Sequence, residues 1–261
     1  MKFSHFTNTA LAAAKKGAEV LLKHYNTKLN IEYKGEIDPV TQADKGSQKA
    51  IIKVIKDVFP EHGILAEEDG VSKLDNDYCW IIDPLDGTVN FLHGLPMFAV
   101  SIGLKYKKEI ITGIIYSPIL NELFVAEKGK GAWLNGKRIK VSQIKDNIKA
   151  LGVTGFPYSI KENNNKILRN FKDIIVKVQG VRRLGSAALD LAYVACGRFE
   201  FFWEQGLKAW DIAAGILLVK ETSGIVSDYV GDKDCLFKNT MLAANNLKIY
   251  KEIFKVVNDK R

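Results

Sequence analysis

Tyr78-Cys79-Trp80-Ile81-Ile82-Asp83-Pro84-Leu85-Asp86-Gly87-Thr88-Val89-Asn90-Phe91 passes from an apolar run into two carboxylates three residues apart. The run from Tyr78 to Ile82 predicts a buried strand. Pro84 removes a backbone donor and sets a turn, Gly87 admits backbone angles closed to other residues, and Thr88 adds a hydroxyl. Two acids and a hydroxyl at the carboxyl end of a strand suit a hard cation such as Mg²⁺, which favours carboxylate and carbonyl oxygens. The same pattern serves a turn whose Asp side chains only cap backbone amides, the commoner use of Asp. Partners elsewhere in the chain have to decide between the two.

Upstream, Gly63 to Ala66 reads as a short strand followed by Glu67-Glu68-Asp69-Gly70. Three acids before a Gly are usually a solvated turn, but here they follow a strand, as Asp83 does. Before them, helical spacing from Asp44 to Phe59 ends at Pro60 and places Asp44 at a helix amino end, where an N-cap is the ordinary role. A first amphipathic helix spans about Phe3 to Tyr25, and the Gly and Pro of Lys34-Gly35-Glu36-Ile37-Asp38-Pro39 mark a loop.

Downstream, Phe98 to Tyr106, Ile110 to Tyr116 and Glu122 to Ala126 are strand-like and separated by short turns, which predicts an antiparallel meander. Lys128-Gly129-Lys130-Gly131 lacks phosphate-loop spacing and reads as a hairpin turn. From about Asp146 the pattern changes to alternating strands and helices. There is a strand at Ala150 to Thr154, an Asn163-Asn164-Asn165 loop, a helix to about Ile175 and a small-residue helix from Gly185 to Cys196. An aromatic strand, Phe199 to Trp203, ends in Glu204 and is followed by a helix through Val219 that carries Asp211 in its first turn. Strands at Ile225 to Asp228 and Met241 to Ala244 and a helix at Leu247 to Val257 follow.

The chain has 261 residues, 47% of them hydrophobic and 26% charged, which is ordinary for a globular protein. No apolar stretch is long enough to cross a bilayer, and no signal peptide is expected. Three cysteines without a C-x-x-C spacing argue against a disulfide framework or a zinc site, and fit a reducing cytoplasm. The net charge of +8 would help binding of phosphorylated ligands or nucleic acid, but the lysines are scattered and form no nucleic-acid motif. No zinc-protease, nucleophile-elbow or dinucleotide fingerprint is present. Carboxylates at element ends remain: Asp44, Glu67, Asp83, Asp86 and Asp211.

Asp83-Pro-Leu-Asp86-Gly-Thr88-Val-Asn90-Phe91, Trp210-Asp211-Ile-Ala-Ala-Gly215 with Glu221-Thr-Ser-Gly224, Ala66-Glu67-Glu68 and Thr41-Gln-Ala-Asp44 occur in that family-like arrangement over nearly the whole chain. Together they resemble the inositol monophosphatase family of Mg²⁺-dependent, lithium-sensitive sugar phosphatases. Arg183-Leu-Gly-Ser-Ala-Ala-Leu-Asp190 and Phe202-Trp-Glu204-Gln-Gly are most similar to its bacterial inositol-1-monophosphatases. The resemblance implies an α+β / α/β layered αβαβα sandwich, the sugar-phosphatase fold. Its N-terminal half, 1–145, would hold an antiparallel sheet and most metal ligands. Its C-terminal half, 146–261, would hold a mixed sheet, Asp211 and the substrate contacts, with the active site between the halves.

The resemblance also implies a set of roles. Glu67, Asp83 and the Leu85 carbonyl would hold one Mg²⁺, and Asp83, Asp86 and Asp211 a second. A third ion could use Glu67 and water, near a mobile loop with Lys34 and Glu36. Asp44 and Thr88, with Glu67, would act on the attacking water. Asp86, the Gly87 and Thr88 amides, Ser186, Ala187, Glu204 and Asp211 would contact substrate, with Asp190 facing the same pocket. For Glu204 a surface acid at a strand end is the equal alternative. Departures from the family pattern are Ala66 for Gly, Ala209 for Pro and Ser223 for Gly. The expected substrate is myo-inositol 1-phosphate or a related polyol phosphate. Fructose 1,6-bisphosphate, histidinol phosphate and 3′-phosphoadenosine 5′-phosphate are alternatives, as is an added role in an RNA or transcription complex. A homodimer is expected, with no membrane partner.

Overall fold

The computed structural model describes residues 2–28, 31–33, 39–68, 70–72, 76–161 and 164–259. The chain opens with helix α1 (His5–His24), strands β1 (Ile31–Tyr33) and β2 (Pro39–Thr41), and helix α2 (Gln42–Val58). Next come β3 (Gly63–Ala66), β4 (Gly70–Ser72), β5 (Tyr78–Asp86), the short helix α3 (Thr88–Leu92), β6 (Ala99–Tyr106), β7 (Glu109–Ser117), β8 (Glu122–Glu127), β9 (Gly131–Leu134) and β10 (Lys137–Arg138). The remainder is β11 (Leu151–Thr154), α4 (Asn165–Ile175), β12 (Gly180–Arg182), α5 (Ala187–Ala195), β13 (Phe201–Gln205), α6 (Ala209–Glu221), β14 (Ile225–Ser227), β15 (Thr240–Ala244) and α7 (Leu247–Val257).

Strands β3 to β10 form one eight-stranded sheet in the order β10-β9-β8-β7-β6-β5-β3-β4, and β11 to β15 a five-stranded sheet in the order β12-β11-β13-β15-β14. Period-two alternation assigns their faces to different cores. Trp80 and Ile82 pack with α1 and α2, whereas Ile81 between them packs with α5 and α6. In the second sheet Phe202 faces α5 and α6, and its neighbours Phe201 and Trp203 face α7 and Ile174 of α4. The layers are therefore α1/α2, sheet, α5/α6, sheet, α4/α7, the expected αβαβα sandwich. The helices obey the same logic. α5 is buried at every position and α6 over most of its length, as a central layer requires, while α1 buries a single face of Ala10, Ala13, Ala14, Gly17, Ala18 and Leu21.

The second sheet is mixed as expected, with β12, β11 and β13 parallel and β15 antiparallel to β13 and β14. The first sheet differs from the expectation in one pair: β3 and β5 run parallel, with β4 paired outside β3 at the edge. Strand β5 also runs past Ile82. Pro84 cannot donate to the ladder, and the Leu85 N–H turns onto Asp83 Oδ1 (2.9 Å), but pairing resumes at Asp86 opposite Ala99. Asn165, expected in a loop, opens α4; of the loop expected at 34–39, residues 34–38, with Lys34 and Glu36, lie outside the described residues, as do Asp69 and Asn163, while Pro39 opens β2. Among the described residues no helix is long and apolar enough to cross a membrane.

Candidate active site

Two features of the first sheet bring the acids together. The parallel pair β3–β5 puts the carboxyl ends of both strands side by side, with Ala66 opposite Ile82 and the Glu67 N–H on the Ile82 carbonyl (3.2 Å). Glu67 directly follows the end of β3, and Asp83 is the next residue of β5. The irregularity between Asp83 and Asp86 does the rest. Residues three apart on a regular strand face opposite sides, but here Asp83 lies opposite Ser101 and Asp86 opposite Ala99, two residues that share a face. The bulge absorbs one residue and turns both carboxylates to one side.

Helix α2 braces this corner. Ser47 Oγ donates to the Pro84 carbonyl (3.0 Å), and Gln48 Oε1 accepts from the Glu68 N–H (3.0 Å). Ser101 Oγ on β6 donates to the Trp210 carbonyl (3.3 Å), which fixes the start of α6 and Asp211. Asn90 donates to the carbonyls of Met97 (2.7 Å) and Leu184 (2.8 Å), tying α3 to the segment before α5.

The resulting cleft has a volume of about 290 Å³, and Glu67, Asp83, Leu85, Asp86, Gly87, Thr88, Ser186, Ala187, Asp190, Glu204 and Asp211 all line it. Asp44 stands behind this wall. Its Oδ2 accepts from Thr41 N (2.8 Å) and Thr41 Oγ1 (2.6 Å), while Thr88 Oγ1 is shared between Asp44 Oδ1 (3.2 Å) and the Leu85 carbonyl (3.0 Å). The acids cap helix starts while Asp86 and Asp211 also line the cleft. Asp44 caps α2, Asp86 Oδ2 takes Ser186 Oγ (2.6 Å) and the Ala188 N–H (2.7 Å) at the start of α5, and Asp211 Oδ2 takes the Lys208 N–H (2.7 Å) at the start of α6.

Crowding acids beside one another in a buried corner favours their protonated forms. Burial, then the charges of Glu67, Asp86 and Asp211, hold Asp83 well above the usual carboxylate range. Burial and Asp86 do the same to Asp211. Burial pushes Asp86 to about 6 against the bonds from Ser186 and Ala188, and burial with Asp211 and Asp86 nearby pushes Glu204 to about 8. Among the described residues no three or more such side chains are already drawn into a finished ligand set. Backbone amides engage Asp83 Oδ1, Asp86 Oδ2 and Asp211 Oδ2. A carboxylate accepts through both oxygens, so a capped acid can still bind a cation. Mutually repelling carboxylates on one side of the cleft, with no His or Cys among the described residues that line it, fit a hard divalent cation.

The model of the Inositol monophosphatase family matches residues 2–261. The chain belongs to the inositol monophosphatase family. It is 41% identical over 260 residues to an inositol-1-monophosphatase of Mesorhizobium japonicum, covering 98% of this chain and 97% of that protein. It is 42% identical over 241 residues to the Nus factor SuhB of Escherichia coli, covering 91% and 90%. Among solved structures, the extragenic suppressor protein suhB of Bartonella henselae superposes with a TM-score of 0.94 at 39% identity, covering 99% and 100% of the two chains. The inositol monophosphatase of Anabaena superposes with a TM-score of 0.88 at 40% identity, covering 97% and 94%.

Beside the acids expected from sequence, this member of the family lines its cleft with Arg183, Lys208, Phe156, Tyr158 and Trp210. Arg183 lies two residues before Gly185-Ser186 and Lys208 three before Asp211, so nearness to the motifs was the available signal.

Proposed function

We propose that this chain is a Mg²⁺-dependent phosphomonoesterase that hydrolyses myo-inositol 1-phosphate or a related polyol phosphate. The observation that carries this reading is the set of four carboxylates, Glu67, Asp83, Asp86 and Asp211, lining one cleft where three of them are pushed toward protonation. Glu67, Asp83, the Leu85 carbonyl, Asp86 and Asp211 are assigned as ligands of two or three Mg²⁺ ions. When bound, Mg²⁺ acidifies water and offsets charge on the phosphoryl oxygens. Thr88 holds the attacking water through its hydroxyl, and Asp44, bonded to that hydroxyl, receives the proton. Glu67 serves the same water from the β3 side.

The amides of Gly87 and Thr88 are assigned to the phosphate. Gly87 has φ +94°, and a Cβ there would lie 2.8 Å from the Met97 carbonyl, so only glycine lets the backbone pass. Ser186, Ala187 and Glu204 are assigned to the alcohol, with Asp86 and Asp211 at the phosphate end. The site then lies between the halves 1–145 and 146–261. A homodimer and a cytoplasmic location complete the reading; the location is supported by three free thiols, Cys79, Cys196 and Cys235. Phosphate release from a panel of inositol, sugar, histidinol and nucleotide phosphates, with Mg²⁺ and with EDTA, tests it. Fastest release from the inositol ester, abolished by EDTA and inhibited by Li⁺, is expected. Mg²⁺-independent release, or none from any ester, contradicts it.

Relatives named Nus factor SuhB, 40–43% identical, support a second reading in which the chain also joins a transcription complex. Its +8 charge suits RNA. Salt-sensitive RNA binding that is indifferent to Asp83→Asn would establish that role separately from hydrolysis.

A further inference from the structure

The last turns of α6, at the end remote from Asp211, line a second cleft of about 140 Å³. Its floor is Ile110, Ile216, Leu217, Cys235 and Leu236, where the core between the two sheets reaches the surface. Its rim carries Lys108, Lys128, Lys220 and Lys233 against Glu109, Glu221 and Asp234. Two of these acids are already engaged. Glu109 takes Lys128 Nζ (2.5 Å), and Glu221 accepts from the N–H groups of Gly129 (2.8 Å) and Gly131 (2.7 Å). Lys108, Lys220 and Lys233 have no ion-pair partner among the described residues, which leaves three cations facing one acid, Asp234. The charge of Lys220 acts both on Glu109 at the rim and on Cys235 in the floor, so it stands over the cleft. Nor do the carbonyls at the end of α6 call for a cation. Those of Leu218, Val219 and Lys220 accept from Thr222, Ser223 and Gly224.

We propose that this cleft is a binding site for a small aryl carboxylate, whose ring covers the apolar floor while its carboxylate faces Lys108, Lys220 and Lys233. An apolar cavity of roughly 150 Å³ holds one benzene ring, which sets the size of the occupant. Apolar walls with a few charged groups at one side orient such a ligand, ring inward and anion outward. The cleft shares no lining residue with the candidate active site, so the proposal stands apart from the phosphatase reading.

Isothermal titration calorimetry of the full chain, freed of metal with EDTA and held at low salt, tests it with benzoate, the neutral benzamide and the cationic benzylamine. Benzoate is expected to fill one site per chain at least about tenfold more tightly than either of the others, with the preference shrinking as salt is added. Lys220→Glu and Lys233→Glu each change an exposed side chain, so both should fold, and each should weaken benzoate about tenfold or more while leaving benzamide within about threefold. Lys248→Glu on α7 makes the same charge change outside the cleft and should leave benzoate within about threefold. No saturable benzoate binding, or equal affinity for the three probes, overturns the proposal. Benzoate binding unchanged by Lys220→Glu and Lys233→Glu places the anion elsewhere and overturns it too, as does an equal loss in all three variants, which would report overall charge alone.

Discussion

Thr88 Oγ1 sits between the Asp44 carboxylate and the Leu85 carbonyl, at the point where the assigned water chemistry meets the helix-capping frame. Thr88→Ala removes the hydroxyl and leaves the capping of α2 by Asp44 in place. It is expected to lower kcat by about 10² or more with a smaller change in KM. Asp44→Asn keeps an acceptor for Thr41 and should lower kcat with little change in melting temperature. Equal losses in kcat and stability would instead make the pair structural. At this scale the sequence exposed every acid of the cleft, because each stands beside a strand end or a helix start. It could not show that capping and the cleft use the same side chains. Nor could it show that Asp83 and Asp86 share a face, since that depends on a bulge that only strand pairing reveals.

Helix α6 carries Asp211 at one end and lies directly on the first sheet, so its seat sets the position of that acid. The seat is made of glycine. A Cβ at Gly103 would lie 2.8 Å from Ala213 Cβ, and one at Gly113 would lie 2.8 Å from the Ala214 carbonyl and 3.1 Å from its Cα. Because the Gly113 neighbours are backbone, the helix itself has to move. Gly113→Ala is expected to cost about 1–3 kcal/mol and to reduce activity by displacing Asp211. Thermal unfolding and phosphate release measured together check both parts.

The other end of α6 carries the departure at Ser223. It stands directly after the Thr222 C-cap, exposed and with φ +72°, a left-handed angle that costs a non-glycine residue. Ser223→Gly should raise stability by about 0.5–1 kcal/mol, the strain relieved less the added freedom of the unfolded chain. An unchanged or lower melting temperature contradicts this. Helices and long strands were legible because their periodicity runs over many residues. Strands β1, β2, β4 and β12, three residues each, are too short to show a period, and tertiary pairing defines them.

Over the whole molecule, the five layers converge on a corner that concentrates negative charge in a chain of net charge +8. The consequence for stability has a definite sign. Asp86 and Glu204 have folded values of about 6 and about 8, raised from 3.8 and 4.5. A raised carboxylate favours folding while protonated, so in metal-free protein this contribution is full below the unfolded values and is lost as pH rises through the folded ones. Mg²⁺ that binds only the folded state offsets that loss, by about 2.7 kcal/mol at a hundredfold excess over its dissociation constant. Because protons compete for the same oxygens, Mg²⁺ should raise the melting temperature more at about pH 8 than at about pH 6, with EDTA as the reference. A shift equal at both pH values, or absent, would remove the cleft from the account of metal binding.

The layered architecture is what the family resemblance implies, and the contrast between the buried helices α5 and α6 and the one-faced α1 accords with it. The parallel pair β3–β5 of the first sheet, which sets Glu67 beside Asp83, is not legible in the sequence, since strand direction within a sheet leaves no periodic mark. The account's central claim, that these acids form a metal-dependent phosphatase centre, is tested most directly by phosphate release from myo-inositol 1-phosphate by Asp83→Asn and wild type at saturating Mg²⁺. The amide keeps an oxygen for the Leu85 N–H, so the fold is expected to persist, and turnover should fall by more than about a hundredfold. A folded Asp83→Asn variant with near-wild-type turnover would contradict the claim.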